Sequence, residues 1–233
     1  MPPSVAVSSV HGSSVYGRLG SKLGVDIMKL IVGVTGATGA PLAVRLLECL
    51  ATIDGVETYL VMSRWARTTI ELETPYTARE VSRLADVVYG PGDQTAPISS
   101  GSFRADAMIV VPCSMKTLAG IRVGYADDLI GRAADVMLKE HQPLVLVPRE
   151  TPLSDIHLDN MLALSRSGAR IVPPMPAFYN LPQSVDDILD HIVARILDQI
   201  GLDLPDAKRW TGLADARAAR AHLADRSEPQ FLK

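Results

Sequence analysis

The run Gly36-Ala37-Thr38-Gly39-Ala40-Pro41 combines small residues, one hydroxyl and a proline directly after an apolar segment. Such a run lets backbone amides and a hydroxyl approach an anion at a helix N-terminus, so it is a candidate phosphate loop. Counted with Gly33, its glycines are spaced by three, and Ser63 stands where a dinucleotide fold needs an acid for the ribose. NAD is therefore disfavoured. The sequence has no G-x-x-x-x-G-K-[ST] motif, which removes the usual nucleoside triphosphate reading. Taken alone, the run is also compatible with a plain strand-to-helix turn.

Ser99-Ser100-Gly101-Ser102 and Cys113-Ser114-Met115-Lys116-Thr117 add hydroxyls and turn amides suited to a phosphate or a flavin ring edge. By composition each is equally an ordinary polar loop. Cys113 reads as a small buried hydrophobe more than as a nucleophile, because no histidine signature accompanies it. Arg149-Glu150 follows Pro148, where the guanidinium can bind phosphate while the carboxylate moves a proton, or the two can form a surface ion pair. Taken singly, Tyr179 reads as a core aromatic and Arg195 as a solvated helix position.

Asp186-Asp187-Ile188-Leu189-Asp190 matches the D-D-x-x-D pattern with which isoprenoid diphosphate enzymes hold magnesium. A magnesium site needs several carboxylates facing one another across a cavity, whereas acids after Ser184 favour the start of a helix. The capping reading is preferred. The five histidines, His11, His141, His157, His191 and His222, show no metal-ligand spacing, so no metal is expected.

These residues need elements to position them. Short apolar runs at Leu30 to Val34, Thr58 to Met62, Ala107 to Val111, Leu144 to Val147 and Arg170 to Val172 read as buried parallel strands. Between them Leu42, Leu46, Leu47 and Leu50 recur at helical spacing, as do Ile188, Ile192, Ile196 and Ile200. The alternation predicts an α/β fold, a doubly wound, flavodoxin-like, mostly parallel sheet in a single domain. Prolines at 112, 148 and 173 are expected to stop their strands. The segments that follow should then lie at the ligand-binding edge of the sheet.

The 233 residues carry 23 basic and 26 acidic side chains, a net charge of -3, with no basic run to displace counterions from a nucleic acid. With 47% apolar residues the chain can bury a core, and two cysteines make no disulfide framework, so a reducing cytoplasm is expected. Residues 1–27 lack an apolar span and read as a flexible extension, 28–212 as the flavoprotein domain and 213–233 as a tail. No membrane partner is expected.

The segments VTGATGAP, LVMSRWA, ISSGSF, PCSMKTL, RAADVMLKE, VPRETPLSDIHLDNML, PPMPAFYNLPQS and LPDAKRW occur in this order. With them the chain resembles the flavin prenyltransferases, the UbiX/Pad-type family, and especially those encoded beside hydroxyarylic acid decarboxylases as the second protein of the system. The resemblance spans about Lys29 to Gly212. It implies a homo-oligomer, usually a dodecamer, that joins a dimethylallyl group from dimethylallyl phosphate to N5 and C6 of reduced FMN. The prenylated FMN would serve a separate partner decarboxylase.

By matching motif positions, the resemblance assigns FMN binding to Gly36, Ala37, Thr38, Ser63, Ser114, Met115, Lys116, Thr117 and Arg149. Prenyl phosphate falls to Lys139, Glu150, Tyr179 and Arg195, the catalytic group, with Glu73, Ser100, Arg132 and Trp210 around the pocket. Many members carry Ser where this chain has Thr38, and the hydroxyl remains. Monophosphate carries less charge than a diphosphate, so Arg and Lys can stabilise its departure without magnesium. Glu150 is the expected base for the C6 proton. Competing readings are a flavin-dependent cysteine decarboxylase, a flavin chaperone or assembly factor, and direct decarboxylation of aromatic acids. The first uses an early histidine that Ser63 to Glu73 lacks, and FMN storage alone would not call for Glu150, Tyr179 and Arg195 together.

Overall fold

The computed structural model describes residues 27–205 and 207–215, with 217 and 220. The expected N-terminal extension, apart from residue 27, and most of the expected C-terminal tail lie outside the described residues. Six strands form one sheet: β1 (Met28–Val34), β2 (Val56–Met62), β3 (Val87–Tyr89), β4 (Ala107–Cys113), β5 (Leu144–Pro148) and β6 (Arg170–Ile171). Their order is β3-β2-β1-β4-β5-β6, and every pairing is parallel, as the continuous apolar runs predict.

Alternate residues of β1, β2, β4 and β5 serve two cores. Leu30, Val32 and Val34 of β1 join the core that holds residues of α1 (Ala40–Leu50) and α7 (Val185–Asp198). Ile31 joins the other, filled from α4 (Met115–Arg122), α5 (Leu129–Lys139) and α6 (Asp155–Arg166). Period two in the strand thus meets helices on both faces. Leu46 and Leu47 of α1 are fully buried, each worth about 1.5–3 kcal/mol of transfer free energy. Two short helices, α2 (Arg64–Glu73) and α3 (Ala78–Ser82), cross from β2 to β3.

Two strand expectations need correction. β4 does not stop at Val111 but runs through Pro112 to Cys113, which pairs with Pro148, so β5 also includes its proline. The ladder slips between Val110 and Cys113, which is where a residue without an N–H is accommodated. The Pro112 carbonyl is used instead, accepting from the Thr35 amide at 3.3 Å and from Thr35 Oγ1 at 2.6 Å. The second correction is β3, an edge strand of three partly exposed residues whose apolar run, Val87-Val88-Tyr89, is too short to announce it.

The chain leaves β1 toward β2 on one side and returns to β4 on the other, so the strand order reverses between β1 and β4. That topological switch point opens a crevice at the carboxyl ends of the two strands.

Candidate active site

Thr35, 2% exposed, sits where β1 ends and ties the two sides of the crevice together. Besides its bonds to Pro112 it accepts the Ser114 amide at 2.8 Å. Ser114 caps α4, its Oγ accepting from the Thr117 amide at 3.3 Å and lying 3.0 Å from Thr117 Oγ1. The backbone N–H groups of Gly36, Ala37, Thr38, Met115 and Lys116 have no acceptor among the described residues. Five free amides therefore lie on the segments that leave β1 and β4 at one edge of the sheet, those of Met115 and Lys116 at the positive end of α4. This donor set fits an anionic, phosphate-bearing cofactor.

The anchor of the loop differs from expectation. The amides of Gly39 and Ala40, which open α1, already hold an anion: Glu73 Oε2 accepts them at 2.8 and 2.9 Å. Glu73 thus caps α1 from the end of α2, and the anion position at the start of α1 is filled by the protein's own carboxylate. Only the preceding amides, 36 to 38, remain for a ligand. Gly36 is needed for another reason, because a Cβ there would lie 2.3 Å from Cβ of Trp65. Ser63 caps α2, its Oγ accepting from the Ala66 amide at 3.1 Å.

Arg149 and Glu150 follow β5 on the same edge of the sheet, and both are exposed. They form no ion pair; Glu150 Oε1 accepts from the Thr151 amide at 3.1 Å, and the Arg149 amide bonds to the Cys113 carbonyl. Lys116 reaches toward Asp127 at 3.5 Å. Cys113 is wholly buried, and burial alone pushes its thiol up to about 12, so it stays protonated at neutral pH.

Tyr179, Arg195 and Trp210 meet elsewhere, in a cleft of about 420 Å3 shared with His191, Lys208 and Arg209. Tyr179 stands edge-on between two rings, 5.4 Å from Trp210 and 5.6 Å from His191. Both Tyr179 and Arg195 are exposed into the cleft, so neither is the core aromatic nor the plainly solvated charge that it resembles in isolation.

The expected catalytic group of four is not assembled within one chain. Neither Lys139 nor Glu150 lines the cleft of Tyr179 and Arg195. Lys139 ends α5, which runs back to the amino edge of the sheet before β5 begins, so the length of β5, about 3.3 Å per residue, separates it from Glu150. There Lys139 pairs with Glu140 beside Gly101, while Arg132, on the same helix, donates to the Ser99 carbonyl at 3.0 Å and pairs with Asp135 at 2.7 Å. Ser100 bonds Ser102 at 2.9 Å in the same strip. Ser100, Arg132 and Lys139 therefore form a third group, along α5.

The aspartates of the D-D-x-x-D run are accounted for locally. Asp187 closes a capping box with Ser184, and Arg45 of α1 pairs with Asp186 and Asp190, each at 3.0 Å. No group of three metal-ligating side chains occurs among the described residues.

A family model described as Flavoprotein matches residues 22–197. A protein named "Probable UbiX-like flavin prenyltransferase" from Escherichia coli O157:H7 is 70% identical over 190 residues, 82% of this chain and 96% of that one. The chain belongs to the UbiX-like flavin prenyltransferase family. A solved family structure from the same organism, described as a dodecameric FMN-dependent UbiX-like decarboxylase, superposes with a TM-score of 0.79 at 71% identity, covering 79% of this chain and all of that one. AnUbiX in complex with FMN and dimethylallyl pyrophosphate gives 0.79 at 56%, covering 80% of this chain and 99% of the other. The cysteine decarboxylase SpaF, at 22% identity and a TM-score of 0.53, shares the fold alone.

For a UbiX-like protein, the residues that sequence reasoning passes over are those that hold others. Thr35 ties the crevice, and its one readable signal is a hydroxyl at the end of an apolar run. Asp198 carries no motif, and Arg209, its partner eleven positions on across a turn, stands in LPDAKRW without a role assigned to it.

Proposed function

We propose that this protein transfers a dimethylallyl group from dimethylallyl phosphate to reduced FMN. The observation that carries the reading is the coexistence of two unlike sites on one family scaffold: an amide-lined crevice at the switch point and a cationic, aromatic cleft. Bound FMN supplies the nucleophilic N5 and C6 positions. The free amides of residues 36 to 38, 115 and 116, with Thr38, Ser114 and Arg149, hold its phosphate and ring edge. Arg195 and Tyr179 hold the prenyl phosphate, and the faces of Tyr179 and Trp210 shelter allylic positive charge.

Assembly completes the site. Since Arg132 and Lys139 on α5, with Ser100 beside them, lie away from Glu150, a neighbouring copy brings its Lys139 to the phosphate leaving group, and the related dodecameric structure supports this arrangement. Glu150, exposed at the end of β5, accepts the proton lost from C6 as the ring closes. The product passes to a partner aromatic-acid decarboxylase in the cytoplasm.

The test is anaerobic incubation with reduced FMN and dimethylallyl phosphate, followed by mass analysis of the flavin. A flavin heavier by one prenyl group supports the reading; unmodified flavin favours a chaperone role, and carbon dioxide released from an aromatic acid by this chain alone favours direct decarboxylation. In Glu150→Gln the N5-alkylated flavin should accumulate in rapid-mixing spectra, because an amide cannot take the C6 proton. Normal ring closure in that variant would leave the phosphate itself as the base.

A further inference from the structure

Asp198, the last residue of α7, has a side chain only 16% exposed and receives two guanidinium groups. Arg195, one turn earlier, donates Nη1 to its Oδ2 at 2.5 Å. Arg209, on the returning segment, donates Nη1 to Oδ2 at 3.0 Å and Nη2 to Oδ1 at 2.7 Å, a bidentate fork, and also pairs with Asp203. The next residue in the chain is Trp210, whose ring meets Tyr179 edge-on. The remaining N–H groups of the Arg195 guanidinium have no partner among the described residues, and Arg195 lines the same cleft as Tyr179 and Trp210. One shielded carboxylate therefore sets the aim of a cleft cation and seats the segment that delivers a cleft aromatic.

We propose that Asp198 is a positioning residue for the prenyl donor, coupling the seating of residues 207–210 to the presentation of Arg195. This rests on the reading of the cleft as the prenyl-phosphate site. A carboxylate that draws on one edge of Arg195 leaves its other edge for phosphate, and the Arg209 fork fixes Trp210 over the same space. Arg209, already held by Asp198 and Asp203, acts through the seat of Trp210.

The test uses Trp65→Phe as the reference protein, which leaves Trp210 as its only tryptophan. In Asp198→Asn the KM for dimethylallyl phosphate should rise about tenfold while kcat changes far less and FMN affinity holds. Trp210 emission should shift to longer wavelength and become more accessible to iodide. Asp198→Glu should recover part of both signals. Arg209→Gln, a change at an exposed side chain, should reproduce them, and the double variant should be no worse than either single change, as expected of partners in one network. If Asp198→Asn fails to fold, Arg209→Gln carries the same comparison. Unchanged KM or unchanged Trp210 emission in these variants overturns the inference. Arg195→Ala separates the two readings: if it raises KM while Asp198→Asn and Arg209→Gln do not, only the positioning role fails. If Arg195→Ala also leaves KM unchanged, the cleft is not the donor site.

Discussion

The crevice between β1 and β4 and the cleft beneath Trp210 are held by different forces. In the crevice, Thr35, Ser63, Glu73 and Ser114 bond backbone groups at the ends of buried strands and helices. Its geometry is thus an extension of the sheet, and disturbing it disturbs the core. In the cleft, aromatic edges and ion pairs join α7 to a segment with little regular structure, and most of the participating side chains are exposed. Apart from the shielded Asp198 carboxylate, the ion-pairing side chains of the cleft are exposed, and exposed pairs contribute about 0–1 kcal/mol each, so its rim can change shape at little cost to the fold. On the proposed reading, a rigid cofactor seat and a donor seat with an adaptable rim suit a reaction in which one reactant stays in register while the other enters and loses its leaving group.

Thr35→Val tests this contrast most severely. The substitution keeps the shape but strands the partly buried Ser114 amide and takes a buried donor from the Pro112 carbonyl, so urea unfolding should show a loss of about 3 kcal/mol. FMN affinity should fall with it. Retained stability with weakened FMN binding would mean that crevice and core are separable after all. Gly36→Ala should cost somewhat less, about 2 kcal/mol, because the added methyl forces the loop away from Trp65 and the loop can yield partly toward the open crevice. Titration of FMN into this variant should show a larger relative loss than its thermal denaturation does.

Much of this contrast lies beyond the reach of the sequence. β1, β2, β4 and β5 are legible because a strand covered on both faces must be apolar at nearly every position. The crevice is legible for the same reason, since small residues and hydroxyls directly follow those runs. Glu73 is different: its bond to the α1 amides spans 34 residues, and nothing local marks a carboxylate at the end of α2 as the cap of α1. Pro112 misleads because a slipped ladder can absorb a proline that a regular one excludes. Motif order brings Lys139 and Glu150 together as one functional set, but α5 turns back before β5 and places them at opposite edges.

Acid sharpens the comparison by the smallest effect. The Arg209 hydrogen bonds, then its charge and that of Arg195, hold the Asp198 carboxyl below its ordinary value, and Asp86 is lowered by the amide and hydroxyl of Thr58. A carboxyl depressed in the folded state contributes stability above its unfolded pKa, near 3.9, and loses it as pH falls through the folded value. Stability should therefore decline gently below about pH 4, and less steeply in Asp198→Asn. Trp210 emission should respond in the same range, whereas the Thr35–Ser114 side of the crevice, tied by neutral hydroxyls and amides, should not share that midpoint. Coincident midpoints would show the two regions to be one cooperative unit.

The placement of Lys139 and Glu150 at opposite edges of the sheet has a genetic consequence. When each reaction centre draws these residues from different copies, a cell that carries two null alleles, Lys139→Ala and Glu150→Gln, builds mixed assemblies in which some interfaces pair an intact Lys139 with an intact Glu150. Two loss-of-function alleles then complement each other within one shell of protomers, and neither is fully recessive to the other.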